Sequence, residues 1–325
     1  MARKVRIEYG GAFYHVINRG NYRSWIFETD GARESFLECL CEASSAQGWR
    51  LHAWVLLSNH YHICLETPSP NLVEGMAWLQ STFANRFNRF RRENGHVFQG
   101  RYKAILLEGD AVGAVSHYIH LNPVRAGLVS TSQLQSYSAS SFHQLWHPSK
   151  RWQVFESGTA LGEAGGFSDT PKGRRGYRDY LAWLSEDDAA KKRLGFERMC
   201  RGWMKGGKEF RKTVLEGLQN EISLRVVEAE AEELREPLWE RRLQQGLTAL
   251  GKSESDLLNA RKGSDWKVAL ARYLRESSLT PNRWLANRLN MGTAKSVSSR
   301  VSSHRGAKHG RDGLWEKLKM LECVD

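Results

Sequence analysis

The chain has 325 residues, of which 41% are hydrophobic, and it carries a formal net charge of +12. This length favours at least two domains, and so basic a balance favours a polyanionic partner such as nucleic acid over its alternative, a membrane surface. No apolar run approaches the roughly 20 residues of a spanning helix, and the first residues lack the apolar core of a signal peptide, so we expect a soluble, cytoplasmic protein.

The first half of the chain alternates strand-like and helix-like patterns. Residues 11–18 are rich in aromatic and β-branched residues and predict a strand. A helix is expected from the Asp30 cap to Gly48. From Leu51 to Leu65 the odd positions are apolar or aromatic except Asn59, which predicts two adjacent strands with a turn at Ser58-Asn59.

The pattern then returns to helical spacing. Residues 71–92 have an apolar stripe that predicts an amphipathic helix, and residues 101–107 resemble a strand. Asp110 is expected to cap a further helix that ends near Asn122, because Pro123 disfavours helical conformation in the residue before it. This order predicts an α+β fold of the ferredoxin-like kind, with an antiparallel sheet and helices on one face.

The rest of the chain predicts helices, and we expect three regions: a catalytic domain at 1–145, a linker and helical region at 146–245, and a third domain at 246–325. Residues 137–167 are rich in serine, glycine and tryptophan without a clear period, which places a boundary there. In the third domain, Pro281 begins one short helix, Met291-Gly292 form a turn and residues 293–303 form a second helix. This is the helix-turn-helix pattern, which predicts a DNA-binding domain, with a protein-interaction module of the same shape as the alternative.

His60 and His62 are the strongest indication of chemistry. Residues at i and i+2 of a strand lie on one face, so the two imidazoles can reach one divalent metal, while Tyr61 faces the core and the histidines face outward. Magnesium or manganese fits if an oxygen ligand and a phosphate complete the coordination. Histidines packed in the interior or exposed on the surface have the same spacing.

Tyr118 lies late in the helix that begins after Asp110, and Asn122 follows one turn later. A phenol needs help to attack phosphorus, and a metal on the scissile phosphate can provide it, leaving a 5′-phosphotyrosine and a free 3′-hydroxyl. Asn122 could add a metal ligand or only cap the helix. Tyr118 could equally be a packed ring with a hydrogen-bonded hydroxyl.

Basic residues cluster near these positions and in the last domain, where they could bind phosphates or only form a solvated face. Phe98 or Tyr102 could stack an unpaired base, or belong to the core. The candidate DNA-binding residues are Arg86, Arg89, Arg91, Arg92, Arg101, Lys103, Lys295, Arg300, Arg305 and Lys308.

Four motifs in order resemble the REP-associated tyrosine transposases, within the single-tyrosine HUH transposase family. They are Phe-Tyr-His-Val-Ile-Asn-Arg-Gly at 13–20, Asn-His-Tyr-His at 59–62, Phe-Gln-Gly-Arg-Tyr-Lys at 98–103 and Tyr-Ile-His-Leu-Asn-Pro-Val-Arg-Ala-Gly at 118–127. The resemblance covers about the first 130 residues. It implies a ferredoxin-like catalytic domain, Mg²⁺ or Mn²⁺ on His60 and His62 with Asn122 in the position of the third ligand, and Tyr118 as the nucleophile.

The same resemblance implies a single-stranded DNA endonuclease and strand transferase, active near the nucleoid. Its substrates would fold into hairpins, often from repeated extragenic palindromes. The alternatives are a non-catalytic DNA-binding regulator on the same scaffold and a metal-dependent hydrolase that uses water instead of Tyr118. The oligomeric state, monomer or homodimer, stays open.

Overall fold

Five strands form one mixed sheet in the order β2-β3-β1-β4-β5 in the computed structural model, which describes residues 7–220, 232–278, 280–306 and 313–322. The strands are β1 (Ala12–Arg19), β2 (Arg50–Leu56), β3 (His60–Thr67), β4 (Lys103–Leu107) and β5 (Met204–Lys205). The first four pair antiparallel in the order of a ferredoxin-like fold, as predicted. β5 adds a parallel edge strand that the sequence did not predict.

The sheet is covered by helices on both faces, so the expectation of helices on one face is wrong. On one face, α1 (Asp30–Gln47) and α2 (Leu72–Arg91) enclose a cluster of aromatic rings. On the other, α3 (Ala111–Arg125) packs over β2 and β3. α3 buries Val112, Val115 and Ile119, and it covers the face of β3 that carries His62 and Cys64.

The aromatic cluster explains why Tyr61 faces inward. Its ring lies 4.8 Å from that of Phe36, and Phe36 lies 5.1 Å from Phe83. Gln80 donates a 2.8 Å hydrogen bond to the Tyr61 hydroxyl, so its one polar atom is satisfied. α1 begins after Thr29, whose hydroxyl accepts from the Ala32 amide, one residue before the cap that the sequence predicted.

Residues 139–156, which span the expected boundary between the catalytic domain and the linker region, are bound to the outer edge of β2. Leu56 donates its amide proton to the Ala139 carbonyl, and Leu51 donates to that of Val154. Trp54 stacks on Trp152 at 4.7 Å. The described part of the chain divides into two compact units, and the larger includes residues 7–211.

Helices follow in both units. In residue order they are α4 (Ser141–Trp146), α5 (Gly158–Glu163), α6 (Pro171–Glu186), α7 (Asp188–Arg193), α8 (Lys208–Asn220), α9 (Glu232–Leu250), α10 (Glu254–Asn259), α11 (Asp265–Ser278), α12 (Asn282–Arg288), α13 (Ala294–Gly306) and α14 (Gly313–Lys319). Among the described residues, no helix has the length and apolar character to cross a membrane.

The smaller unit is helical, and its core is made by α9 to α14. The predicted pair of helices joined by a glycine turn is present as α12 and α13, with Gly292 at φ +95°. Arg288 on α12 pairs with Glu240 and Glu254, which fixes α12 against α9 and α10. Lys308, one of the candidate DNA-binding residues, lies outside the described residues.

Candidate active site

His60 and His62 project from the same face of β3, as the strand alternation predicted, with their ring centroids 5.1 Å apart. The prediction that both face outward holds only in part. His62 is 2% exposed, because α3 covers it, whereas His60 at the start of the strand is half-buried.

The hydrogen bonds of His62 fix the positions of its protons. His15 on β1 has its Nδ1 3.3 Å from the Met199 carbonyl, which can only accept, so that nitrogen carries the proton. Burial lowers the pKa of His15 to about 3, so the ring is neutral and its Nε2 accepts from His62 Nδ1 at 3.0 Å. Burial also lowers the pKa of His62, so this ring is neutral too. Its Nε2 carries no proton and can offer its electron pair to a metal.

A hydrogen bond to Asn59 likewise leaves His60 with a proton on Nδ1 and none on Nε2. Its Nδ1 lies 2.7 Å from Asn59 Oδ1, and the Asn59 amide nitrogen donates to the Arg23 carbonyl at 3.2 Å. That second bond sets the orientation of the amide, so His60 Nδ1 is the donor. Burial and the Arg19 charge lower the pKa of His60, so it too presents an unprotonated Nε2.

These two imidazoles fit a divalent cation, since metal-binding histidines need a bare nitrogen on one side and a hydrogen-bonded N–H on the other. No group of three or more His, Cys, Asp or Glu side chains that could hold a metal occurs among the described residues. A cation would therefore need another ligand, and Asn122 is the predicted one. Its Nδ2 donates to the Tyr118 carbonyl at 3.1 Å, which leaves Oδ1 as the atom that could bind.

Tyr118 lies over this face of the sheet, on α3. Its ring centroid is 5.7 Å from that of His62 and 6.0 Å from that of His15. The Arg125 guanidinium, one turn beyond Asn122, lies 4.6 Å above the ring. The structure thus brings together residues 15, 62 and 118, which are far apart in sequence.

The hydroxyl of Tyr118 is bound to a thiol. Tyr118 Oη and Cys200 Sγ lie 3.1 Å apart, and either can donate the proton. Burial and the neighbouring thiol raise the pKa of Tyr118 to about 12, although the Arg125 charge lowers it in part. The phenol is therefore protonated at neutral pH, and a further positive charge near Oη would favour loss of its proton.

Residues 196–205, which we call the covering segment, lie across the site. Phe196 packs edge-on against Tyr118 at 5.4 Å, and Lys103 donates to the Cys200 carbonyl at 3.1 Å. β5 at the end of the segment holds it on the sheet, since Leu106 donates its amide proton to Trp203. No sequence pattern predicts that this segment lies over the site, because it has no helical or strand periodicity and Cys200 is 82 positions from Tyr118 in the chain.

α3 does not end near Asn122 as predicted but continues through Pro123 to Arg125. The missing N–H of Pro123 would have bonded only one carbonyl in the last turn, which a helix end tolerates. Gly127, at φ +68°, is the residue that ends the helix. The Asn122 side chain bonds to the carbonyl of Tyr118 in its own helix and does not cap the helix end. Its role as a metal ligand stays a prediction.

The basic residues of the larger unit have different surroundings. Arg86 pairs with Glu42 at 3.1 Å and Glu38 at 3.7 Å, and Arg91 pairs with Glu93. Lys103 is half-buried beneath the covering segment. The exposed side chains are those of Arg89, Arg91, Arg92 and Arg101, and of these Arg91 is the one that pairs with Glu93.

Two predicted base-stacking residues belong to the core. Phe98 is 8% exposed and packs against Tyr61 and Phe83, and Tyr102 is 4% exposed with its hydroxyl directed at the Leu72 carbonyl. In the smaller unit, Arg300 donates to the carbonyls of Lys262 and Met291, whereas Lys295 is exposed. Contacts of Lys295 and Arg300 with DNA stay a prediction.

His117 and His120, to which the sequence assigned no role, join a buried network behind Tyr118. Both Nδ1 atoms lie within 3.0 Å of the Tyr177 hydroxyl, and His120 Nε2 lies 2.8 Å from Ser141 Oγ. Burial lowers the pKa of His117 to about 4 and that of His120 to about 3. Their role is structural, since they bind α3 to α6 and α4.

Comparison with known proteins gives a matching family model and matches among the solved structures. Residues 9–122 match the family model described as "Transposase IS200 like". No curated protein matches the chain. A solved structure described as a REP-associated tyrosine transposase bound to a REP hairpin aligns at 19% identity and a TM-score of 0.39, over 49% of this chain and 93% of that one.

Proposed function

Residues 9–122 form an IS200-like transposase domain, and we propose that this protein cleaves and rejoins single-stranded DNA with Tyr118 as its nucleophile and a divalent metal at His60 and His62. The observation that carries the proposal is the position of Tyr118, whose ring lies 5.7 Å from that of His62 on the same face of the sheet. Mg²⁺ or Mn²⁺ suits two neutral imidazoles completed by oxygen atoms.

The chemistry follows from what each group supplies. A bound metal would neutralise charge on the scissile phosphate and orient the ester. Tyr118 Oη loses its proton and forms the bond to phosphorus, while the bond from phosphorus to the 3′-oxygen breaks and that oxygen takes up a proton. The 5′-phosphotyrosine keeps the energy of the ester, so a 3′-hydroxyl can reverse the step and join strands.

The substrate class rests on charge and on the four sequence motifs. We propose hairpin-forming single-stranded DNA, with repeated extragenic palindromes as one source. Lys295 in the smaller unit and three arginines of the larger unit (Arg89, Arg92 and Arg101) are exposed and could bind phosphates. An overall charge of +12 supports a polyanionic substrate.

A labelled single-stranded hairpin incubated with Mn²⁺ and the full chain tests the proposal. The native protein should form a denaturant-stable adduct that disappears with a chelator and in Tyr118→Phe. Tyr180→Phe, the same loss of a hydroxyl outside the site, should leave the adduct intact.

The outcomes separate the alternatives. Cleavage by Tyr118→Phe at the native rate, without any adduct, would identify a hydrolase that uses water. Tight hairpin binding by the native chain with neither cleavage nor adduct would identify a DNA-binding regulator. Either result would overturn the assignment of Tyr118 as the nucleophile.

A further inference from the structure

Residues 21–25, between β1 and α1, expose two large aromatic side chains to solvent. Tyr22 is 93% exposed and Trp25 is 60% exposed. We propose that this segment, the aromatic loop, stacks unpaired bases of single-stranded DNA beside His60. The location rests on the proposed function, and the binding itself is a separate property of the loop.

The backbone of the aromatic loop is strained, which sets it apart from an ordinary surface turn. Tyr22 has φ +50° and Arg23 has φ +61°, so two successive residues with side chains adopt the left-handed conformation. Such residues cost free energy and persist where the surrounding structure holds them, often at binding sites. Neither position is glycine or asparagine, the residues that adopt this conformation most readily.

Hydrogen bonds on both sides hold the loop in this shape. Gly20 donates its amide proton to Asn59, and Asn21 donates to Val97. Ser24 donates back to Asn21 at 2.9 Å. Gly20 has no room for a side chain, since a Cβ there would lie 2.3 Å from the Ser24 carbonyl oxygen. The two rings are thus displayed on a fixed backbone, which lowers the entropy lost when a ligand binds.

The loop is joined to the candidate metal site through one side chain. Asn59 donates to the Arg23 carbonyl and accepts from His60 Nδ1. Arg19, the last residue of β1, lies opposite His60 in the register of β1 and β3. A DNA strand with a phosphate at His60 therefore passes within reach of the aromatic loop.

The chemistry of the loop favours single-stranded DNA. Base faces are available for stacking in a single strand and are occupied in a duplex, and aromatic rings stack on any base. The exposed Arg23, next to Tyr22 in the chain, adds a positive charge to the loop. This combination is typical of sites that bind a strand by stacking and by phosphate contact.

The test measures binding without chemistry. Fluorescence anisotropy of a labelled 12-mer of deoxythymidine is recorded with the full chain in chelator. Tyr22→Ala and Trp25→Ala should each weaken binding by about 5- to 150-fold. Tyr22→Phe should bind as the native chain does, because it keeps the ring, and Trp183→Ala, which removes a half-exposed ring on α6, should also leave affinity unchanged.

An abasic 12-mer provides the complementary control. It should bind the native chain as weakly as the normal strand binds the double variant Tyr22→Ala/Trp25→Ala, and the double variant should not distinguish the two strands. Native affinity in the double variant would overturn the inference. The adduct assay tests the proposed function separately. If the native chain forms the adduct but the loop variants bind the 12-mer as tightly as the native chain, the inference about the loop is wrong and Tyr118 remains the nucleophile. If binding depends on the loop but no adduct forms, the loop binds DNA and the assignment of Tyr118 is wrong.

Discussion

The hydroxyl of Tyr118 and the thiol of Cys200 lie 3.1 Å apart, although 82 positions separate them in the chain. The covering segment thus holds the proposed nucleophile on the same face as the two histidines but bonded to another group. In the proposed reaction, the Tyr118 hydroxyl leaves the thiol before it attacks a phosphate.

Removing the thiol should release the phenol. We expect Cys200→Ala to form the DNA adduct about 2- to 10-fold faster in single-turnover assays, since one hydrogen bond no longer holds the hydroxyl. Loss of the neighbouring thiol also lowers the raised pKa of Tyr118. Cys200→Ser keeps a hydrogen-bonding group and should stay near the native rate. A slower alanine variant would mean that Cys200 assists the reaction instead of restraining it.

His15 should control metal binding without touching the metal. It accepts the Nδ1 proton of His62 at 3.0 Å, which directs His62 Nε2 toward the site. Loss of such a partner typically lowers metal affinity roughly 10- to 100-fold. Titration calorimetry with Mn²⁺ should show this for His15→Ala and no change for His143→Ala, a histidine on α4. Equal affinity in the native chain and His15→Ala would show that the His15 bond does not orient His62.

Much of the site was predictable because strand alternation is a local property. The spacing of His60 and His62 was sufficient to place them on one face of a strand. The sequence also placed Tyr118 on a helix, which is α3 in the structure. The position of Tyr61 in the core followed from the same alternation. These features depend on residues a few positions apart.

The covering segment was not predictable for the opposite reason. β5 has two residues, so it leaves no periodic pattern, and its pairing with Leu106 depends on the whole fold. The burial of His62 also required knowing that α3 packs over its face. Pro123 was misleading because it lies two residues before the end of α3, so its missing N–H removes one hydrogen bond, to the Ile119 carbonyl, without interrupting any later turn of the helix.

Acid should destabilise the larger unit through His117 and His120. Their pKa values in the fold are about 4 and about 3, below the ordinary 6.5, so the unfolded chain binds more protons than the fold below pH 6.5. The stability they contribute is present above pH 6.5 and is lost as the pH falls toward 4. Each histidine adds a slope of about 1.4 kcal/mol per pH unit where only the unfolded form is protonated.

Urea denaturation at several values between pH 7.5 and pH 4.5 measures this slope. His120→Gln replaces one titrating ring with an amide, so its free energy of unfolding should depend less steeply on pH than that of the native chain. Parallel curves for the two proteins would assign the acid sensitivity to other groups.

Arg300 and Lys295 on α13 were both predicted to bind DNA, and the structure separates them. Arg300 donates to the Lys262 carbonyl at 2.8 Å and the Met291 carbonyl at 3.0 Å, so Arg300→Ala should lower the free energy of unfolding by about 1–3 kcal/mol. Lys295→Ala should leave stability unchanged, because the side chain is exposed. If α13 binds phosphates, Lys295→Ala should instead weaken DNA affinity and reduce its salt dependence by about one charge. Thermal unfolding and anisotropy at several salt concentrations measure both effects, and native stability in Arg300→Ala would contradict its structural role.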